Sequence, residues 1–227
     1  LLDTMFPTID PENPYELSAE EENIMERLVA AFTNCEKLQR HMRFLLKKGS
    51  LYKVHNNNLL YHGCVPLNED KSFKSVEVYG KEYKGKALYD ILESYVRKAF
   101  VAIDEEEREK GKDILWFIWS SPGSPLFGKD KMATFERYFL AEKETHKEKK
   151  NPYYSLLEDE EVIDNIMKEF GIGGECSHIV NGHVPVHHTS GESPIKCDGK
   201  VLVIDGGFSK AYQKETGIAG YTLIYNS

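Results

Sequence analysis

Two apolar runs that each end in a histidine with a glycine beside it constrain this chain more than any other feature. The first is Leu59-Leu60-Tyr61-His62-Gly63-Cys64. The second is His178-Ile179-Val180-Asn181-Gly182-His183-Val184-Pro185-Val186. Each reads as a short buried strand that delivers an imidazole at its C-terminal tip. A glycine there lets the backbone turn sharply and leaves room for an approaching ligand. Ligands and metals in open α/β sheets gather at strand ends. Two such histidines, far apart in sequence, therefore point to one site built from neighbouring strands. Neutral imidazole suits zinc, manganese or iron. A two-metal hydrolase also needs carboxylates, and the nearby ones are Asp205, Glu69 and Asp70. The plainer reading makes each histidine a core or loop-capping residue, and pattern alone leaves both open. His41, His55, His146, His187 and His188 sit in weaker contexts, and His178 at a strand start reads as structural.

The remaining pattern interleaves helices with strands. Residues 1–17 are punctuated by proline. Ser18 with Glu21 three positions later forms a capping-box signature. An apolar stripe through Ile24, Leu28, Phe32, Leu38, Met42 and Leu45 then runs to Gly49, giving one long helix or two with a bend. The expected division is residues 1–50 as lead and helix, and residues 51–227 as the main body. Strands are expected at 51–55, 58–61, 114–119, 178–181, 201–205 and 221–225, with hairpins around Gly80 and Asp198-Gly199. Residues 114–119, Ile-Leu-Trp-Phe-Ile-Trp, lack polar alternation and read as a buried strand. Helices are expected at 87–100, 130–140 and 155–170. The charged segment 104–112 reads as a solvated helix end or loop continuing residues 87–100, and the charge run 142–150 as a solvated face. The class is therefore α/β or α+β with a mixed sheet.

A chain of 227 residues can bury a real core, and its net charge of −8 argues against general nucleic-acid binding. No run approaches the length of a membrane span and none reads as a secretory signal. The four scattered cysteines form no C-x-x-C pair and read as free thiols. A cytoplasmic protein is the expectation. The chain begins Leu1-Leu2-Asp3 and closes directly after an apolar run. Both ends are expected to be cuts.

Long stretches carry a resemblance. Phe6-Pro7-Thr8-Ile9-Asp10-Pro11, Glu36-Lys37-Leu38-Gln39-Arg40-His41, and residues 59–68, 124–139, 143–154, 181–186 and 201–227 closely resemble the C-terminal part of class 3 fructose-1,6-bisphosphatases. These are calcineurin-like metallophosphoesterases. The resemblance implies the C-terminal half of a metallophosphoesterase-like β-sandwich flanked by helices. It implies that His62-Gly63 and Gly182-His183 match the fourth and fifth motifs of that superfamily, making His62 and His183 metal positions. The implied metal is manganese, or magnesium, and the implied substrate is a sugar bisphosphate. Lys129, Lys131 and Arg137, after a tryptophan-serine segment, would hold substrate phosphate. Lys210, with Tyr212 and Lys214, would form a second basic cluster.

The superfamily's first three motifs, D-x-H, G-D-x-x-D-R-G and G-N-H-[DE], do not occur in this sequence. The implied catalytic residues therefore lie in a missing N-terminal part. A fragment of that kind is expected to bind metal poorly and to lack activity. It should also expose apolar faces, which would self-associate or be covered by the long N-terminal helix. The alternatives are another phosphatase or nucleotidase of the same superfamily, or a non-catalytic interaction module.

Overall fold

The computed structural model describes residues 1–224, and the side chain of Tyr212 also lies outside the description. Two compact units divide the chain. One comprises residues 1–50 and 133–147, the other residues 51–132 and 148–227.

The first unit is helical. α1 (Ala19–Thr33) starts at a complete capping box. Ser18 N–H donates to Glu21 at 2.8 Å, and Glu21 N–H donates back to the Ser18 hydroxyl at 3.3 Å. The break falls at Asn34-Cys35, after which α2 (Glu36–Lys48) runs to Gly49. α5 (Thr134–Phe139) belongs to this unit as well. Ile24, Leu28 and Phe32 are exposed. The apolar stripe of α1 is therefore exposed.

The second unit holds a five-stranded mixed sheet of order β1-β2-β5-β7-β6. β1 (Tyr52–His55) runs antiparallel to β2 (Asn58–Tyr61). β2, β5 (His178–Asn181) and β7 (Val201–Val203) are mutually parallel in the centre. β6 (Ile195–Lys196) closes the other edge antiparallel to β7. A separate hairpin pairs β3 (Val76–Val78) with β4 (Lys81–Tyr83). α6 (Glu160–Glu169) buries Val162, Ile163, Ile166 and Met167, which join Leu59, Tyr61, Ile179 and Val201 in the main core. A second core lies between β3, α3 (Gly85–Val101) and α4 (Glu105–Ser120).

Residues 114–119 are helical, not a strand. α4 begins at Asp104, whose carboxylate accepts from Glu107 N–H at 2.9 Å. Arg108–Glu105, Lys110–Glu106 and Lys112–Glu109 pairs line its first turns. The charged stretch and the apolar run are thus two halves of one helix. Ile114 and Ile118, four apart, face the core, while Trp116 and Trp119 are 64% and 59% exposed. Gly111 lets the helices meet: a Cβ there would lie 2.4 Å from the Ala99 nitrogen on α3. The helix expected at 155–170 starts later. Residues Pro152–Ser155 form a 3-10 turn, and Asp159 caps α6 by accepting from Val162 N–H at 3.2 Å. Residues 221–224 form no strand, although Tyr221 N–H donates to the Ile204 carbonyl at 2.8 Å. Tyr225, the last residue of that expected strand, lies outside the described residues.

All four cysteines are free. Among the described residues no helix is long and apolar enough to cross a membrane.

Candidate metal and phosphate site

Because β2, β5 and β7 run parallel, their C-terminal ends share one sheet edge. Leu60 sits opposite Val180, and Asn181 opposite Val203. The next hydrogen bonds carry the pairing past the strands. Gly182 N–H donates to the His62 carbonyl at 3.0 Å, and Ile204 N–H donates to the Asn181 carbonyl at 2.9 Å. His62, His183 and Asp205 therefore emerge side by side.

The two imidazoles meet. His62 Nε2 lies 3.1 Å from His183 Nδ1, and the rings cross edge to face with centroids 4.9 Å apart. The other nitrogen of His183 is held from behind, 3.0 Å from the Phe127 carbonyl oxygen. Such a backbone carbonyl orients an imidazole and leaves its opposite nitrogen facing the site. His62 is exposed and His183 half-buried. The pKa of His183 is pushed below the usual imidazole range, first by burial and then by the neighbouring His62; Lys129 adds to the shift and Asp205 opposes it. At neutral pH His183 thus presents a neutral lone pair, the form that binds a cation.

The first glycine acts differently from the sequence expectation. Gly63 makes room for protein: a Cβ there would lie 2.2 Å from the Pro125 carbonyl oxygen, which accepts from Cys64 N–H at 2.8 Å. This contact pins the loop after α4 against the end of β2. In the second run His183 itself adopts the unusual backbone, with φ of +70°. Non-glycine residues in that region store strain and cluster at functional sites.

Of the carboxylates, Asp205 stands at the site edge, where its Oδ1 accepts from Gly207 N–H at 2.8 Å. Glu69 pairs with Lys149 at 2.7 Å, and Asp70 accepts from Ser72. Among the described residues no three His, Cys, Asp or Glu side chains gather closely enough to hold a metal ion by themselves. The pair still fits a share in one ion. Two imidazole nitrogens 3.1 Å apart can both reach an ion at about 2.0–2.1 Å each.

Of the basic residues, Lys129 stands near the pair. Its ammonium contacts Glu148 at 2.7 Å and lies 5.3 Å from the centre of the Phe127 ring. Lys131 follows two residues on, half-buried. Arg137 belongs to the first unit, on α5, with its guanidinium 3.5 Å from the His146 carbonyl. Lys210 opens α7 (Lys210–Thr216) and is exposed. The Tyr212 side chain lies outside the description. Sequence reasoning missed the Phe127 carbonyl and Asn181. Asn181 is 2% exposed and donates to the Gly63 carbonyl at 3.2 Å and to the Tyr153 hydroxyl at 3.0 Å. A lone asparagine in an apolar run was the available signal.

Fold and site together define a mixed α/β protein with an imidazole pair and a nearby lysine at the C-terminal edge of its parallel strands. The chain belongs to the Firmicute fructose-1,6-bisphosphatase family, whose model matches residues 1–227. It is 60% identical over 228 residues to a class 3 fructose-1,6-bisphosphatase of Clostridioides difficile. It is 56% identical over 227 residues to one of Clostridium beijerinckii and 54% identical over 228 residues to one of Listeria innocua. In each comparison all of this chain aligns, and it covers 34%, 34% and 35% of the respective relative. The chain thus spans about a third of the length of the curated relatives it matches. A search of solved structures finds no match.

Proposed function

We propose that the polypeptide carrying this chain hydrolyses the 1-phosphate of fructose 1,6-bisphosphate, a gluconeogenic reaction, and that this chain is its C-terminal part. Family membership across the whole chain supports the substrate. The observation that carries the chemistry is the 3.1 Å approach of His62 to His183 at the edge of three parallel strands. In this reading the chain contributes the later half of a metallophosphoesterase sandwich in the cytoplasm.

His62 and His183 would hold a divalent cation, manganese or magnesium. Such an ion neutralises charge on the phosphoryl group and polarises it. The Phe127 carbonyl fixes the His183 ring, and the depressed pKa of that imidazole keeps its lone pair available. Lys129 contributes positive charge beside the pair, where phosphate oxygens need donors. Lys131 and Lys210 are proposed as further phosphate contacts, after Lys129. The upstream polypeptide would supply the carboxylates and the rest of the catalytic set, so turnover from the 227-residue chain alone is not expected.

Phosphate release from fructose 1,6-bisphosphate tests this reading. The longer polypeptide should turn over with manganese present, and His62→Ala and His183→Ala should each lower kcat/KM at least about tenfold, as loss of a metal-supporting group does. A longer polypeptide without turnover on this substrate would overturn the reading. Full-rate turnover by the 227-residue chain would overturn the division of labour.

A further inference from the structure

Two clefts share a wall, one bordered by Gly182 and Val184 on either side of His183 in the chain, the other by Lys129. One, of about 360 Å³, is lined in part by Lys150, Ser155, Asn181 and Gly182. The other, of about 230 Å³, is lined in part by Lys74, Lys129, Lys149 and Lys150. Glu69, Lys149, Lys150, Asn151 and Pro152 border both, so the clefts form one groove. Each is near or below the small end of ligand pockets, about 300–1,000 Å³, and suits a small metabolite.

Four lysines line the second cleft against two carboxylates, Glu69 and Asp130, in a chain of net charge −8. Two are answered: Lys149 by Glu69 and Lys129 by Glu148, both at 2.7 Å. Lys74 and Lys150 have no acidic partner among the described residues. Lys150 is also held where a like charge is least welcome. Lys129 and Lys150 face each other in an isolated antiparallel bridge. The flanking bonds are Asp130 N–H to the Lys149 carbonyl and Asn151 N–H to the Gly128 carbonyl, both 2.9 Å. That pattern makes the two lysines a non-hydrogen-bonded pair, the arrangement with the shortest side-chain separation. Like charges directly opposite each other are destabilising, and an anion between them removes the penalty. At the far end, Asn181 Oδ1 is buried and has no hydrogen-bond partner among the described residues. The Gly63 carbonyl fixes the amide nitrogen on the other side, so the orphan is an acceptor. It calls for a donor such as a hydroxyl.

We propose that the groove walled by Lys74, Lys129 and Lys150 seats a phosphate monoester: the phosphate of the sugar bisphosphate that is not cleaved, with the sugar hydroxyls directed toward Asn181. This assignment rests on the fructose-bisphosphatase reading above. Lys129, which acts on both the groove and His183, ties the two ends of the substrate together.

The longer polypeptide tests it by comparing fructose 1,6-bisphosphate with fructose 1-phosphate, which lacks the far phosphate. In Lys150→Met the ratio of the two kcat/KM values should fall about tenfold through KM, the size of one lost charge-assisted hydrogen bond. Lys150→Arg should restore most of it, and Lys74→Gln should lower it in the same direction. An unchanged ratio in both Lys150→Met and Lys74→Gln overturns the proposal, as does an equal loss on the two substrates. An unchanged ratio accompanied by lost sensitivity to added inorganic phosphate would assign the groove to a separate effector, and overturns it too. Should the unaltered polypeptide not cleave fructose 1,6-bisphosphate, the functional reading fails. The groove is then judged by calorimetry of fructose 6-phosphate binding to the 227-residue chain. Binding weakened about tenfold in Lys150→Met supports it, and equal affinity overturns it.

Discussion

The helices of the two units are stabilised by opposite means. α1 and α2, of 15 and 13 residues, bury no residue at all. α6, with only 10 residues, buries four. α1 relies on local terms: a closed capping box, Glu20, Glu21 and Glu22 against the helix dipole, and backbone propensity. Isolated helices of that length are marginal in water. α6 is fixed by Val162, Ile163, Ile166 and Met167 wedged against the sheet. Helical periodicity therefore says where a helix forms, and burial says how firmly it is held. The histidine pair is built on the second kind of support.

The largest expected effect tests that support directly. Ile163 is fully buried, so Ile163→Ala should lower the unfolding free energy by about 2–5 kcal/mol, read from urea denaturation. A loss of less than about 1 kcal/mol would mean that α6 is not a core element. Next, Ser18→Ala should lower the local opening free energy of α1 by about 0.5–2 kcal/mol. Amide exchange across residues 19–33 should speed up accordingly while the main unfolding midpoint stays in place. A shifted midpoint would show that α1 unfolds together with the sheet.

A smaller effect is expected from protonation, because His183 is only half-buried. Its folded pKa lies below the unfolded value of about 6.5. As pH falls through that value the unfolded chain takes up the proton first, so stability declines; the decline ends once the folded imidazole is protonated too. Urea titrations from mildly alkaline to mildly acidic pH should show this slope, and His183→Asn should reduce it. The smallest effect belongs to Phe32→Ser. Phe32 is 65% exposed, and the change should stay within about 0.5 kcal/mol. A larger loss would reveal packing that the exposed stripe of α1 does not show.

The legible parts of this fold were those written in local chemistry. Ser18 and Glu21 announce α1, Gly171 stops α6 with a φ of +75°, and the runs ending at Tyr61 and Asn181 are strands as read. The failures came where a segment was read in pieces. Residues 104–112 and 114–119 look unrelated in composition, yet Asp104 caps one helix spanning both. Ser155 resembles a cap, but Asp159 is the residue that accepts from the α6 amide. The adjacency of His62 and His183 followed from two similar strand tips. The Lys129–Lys150 bridge did not, because it depends on a loop meeting a charge run 21 residues away, and nothing in either segment encodes that register.

The Phe127 carbonyl makes the two histidines chemically unequal. An acceptor 3.0 Å from His183 Nε2 requires a proton on that nitrogen, so in its neutral form His183 is committed to one tautomer, with a bare Nδ1. The 3.1 Å contact then places the shared proton on His62 Nε2. His62 is exposed and can move that proton to its other nitrogen through water at little cost. His183 is the fixed electrode of the pair and His62 the adjustable one. A cation entering between them takes the place of the proton they share.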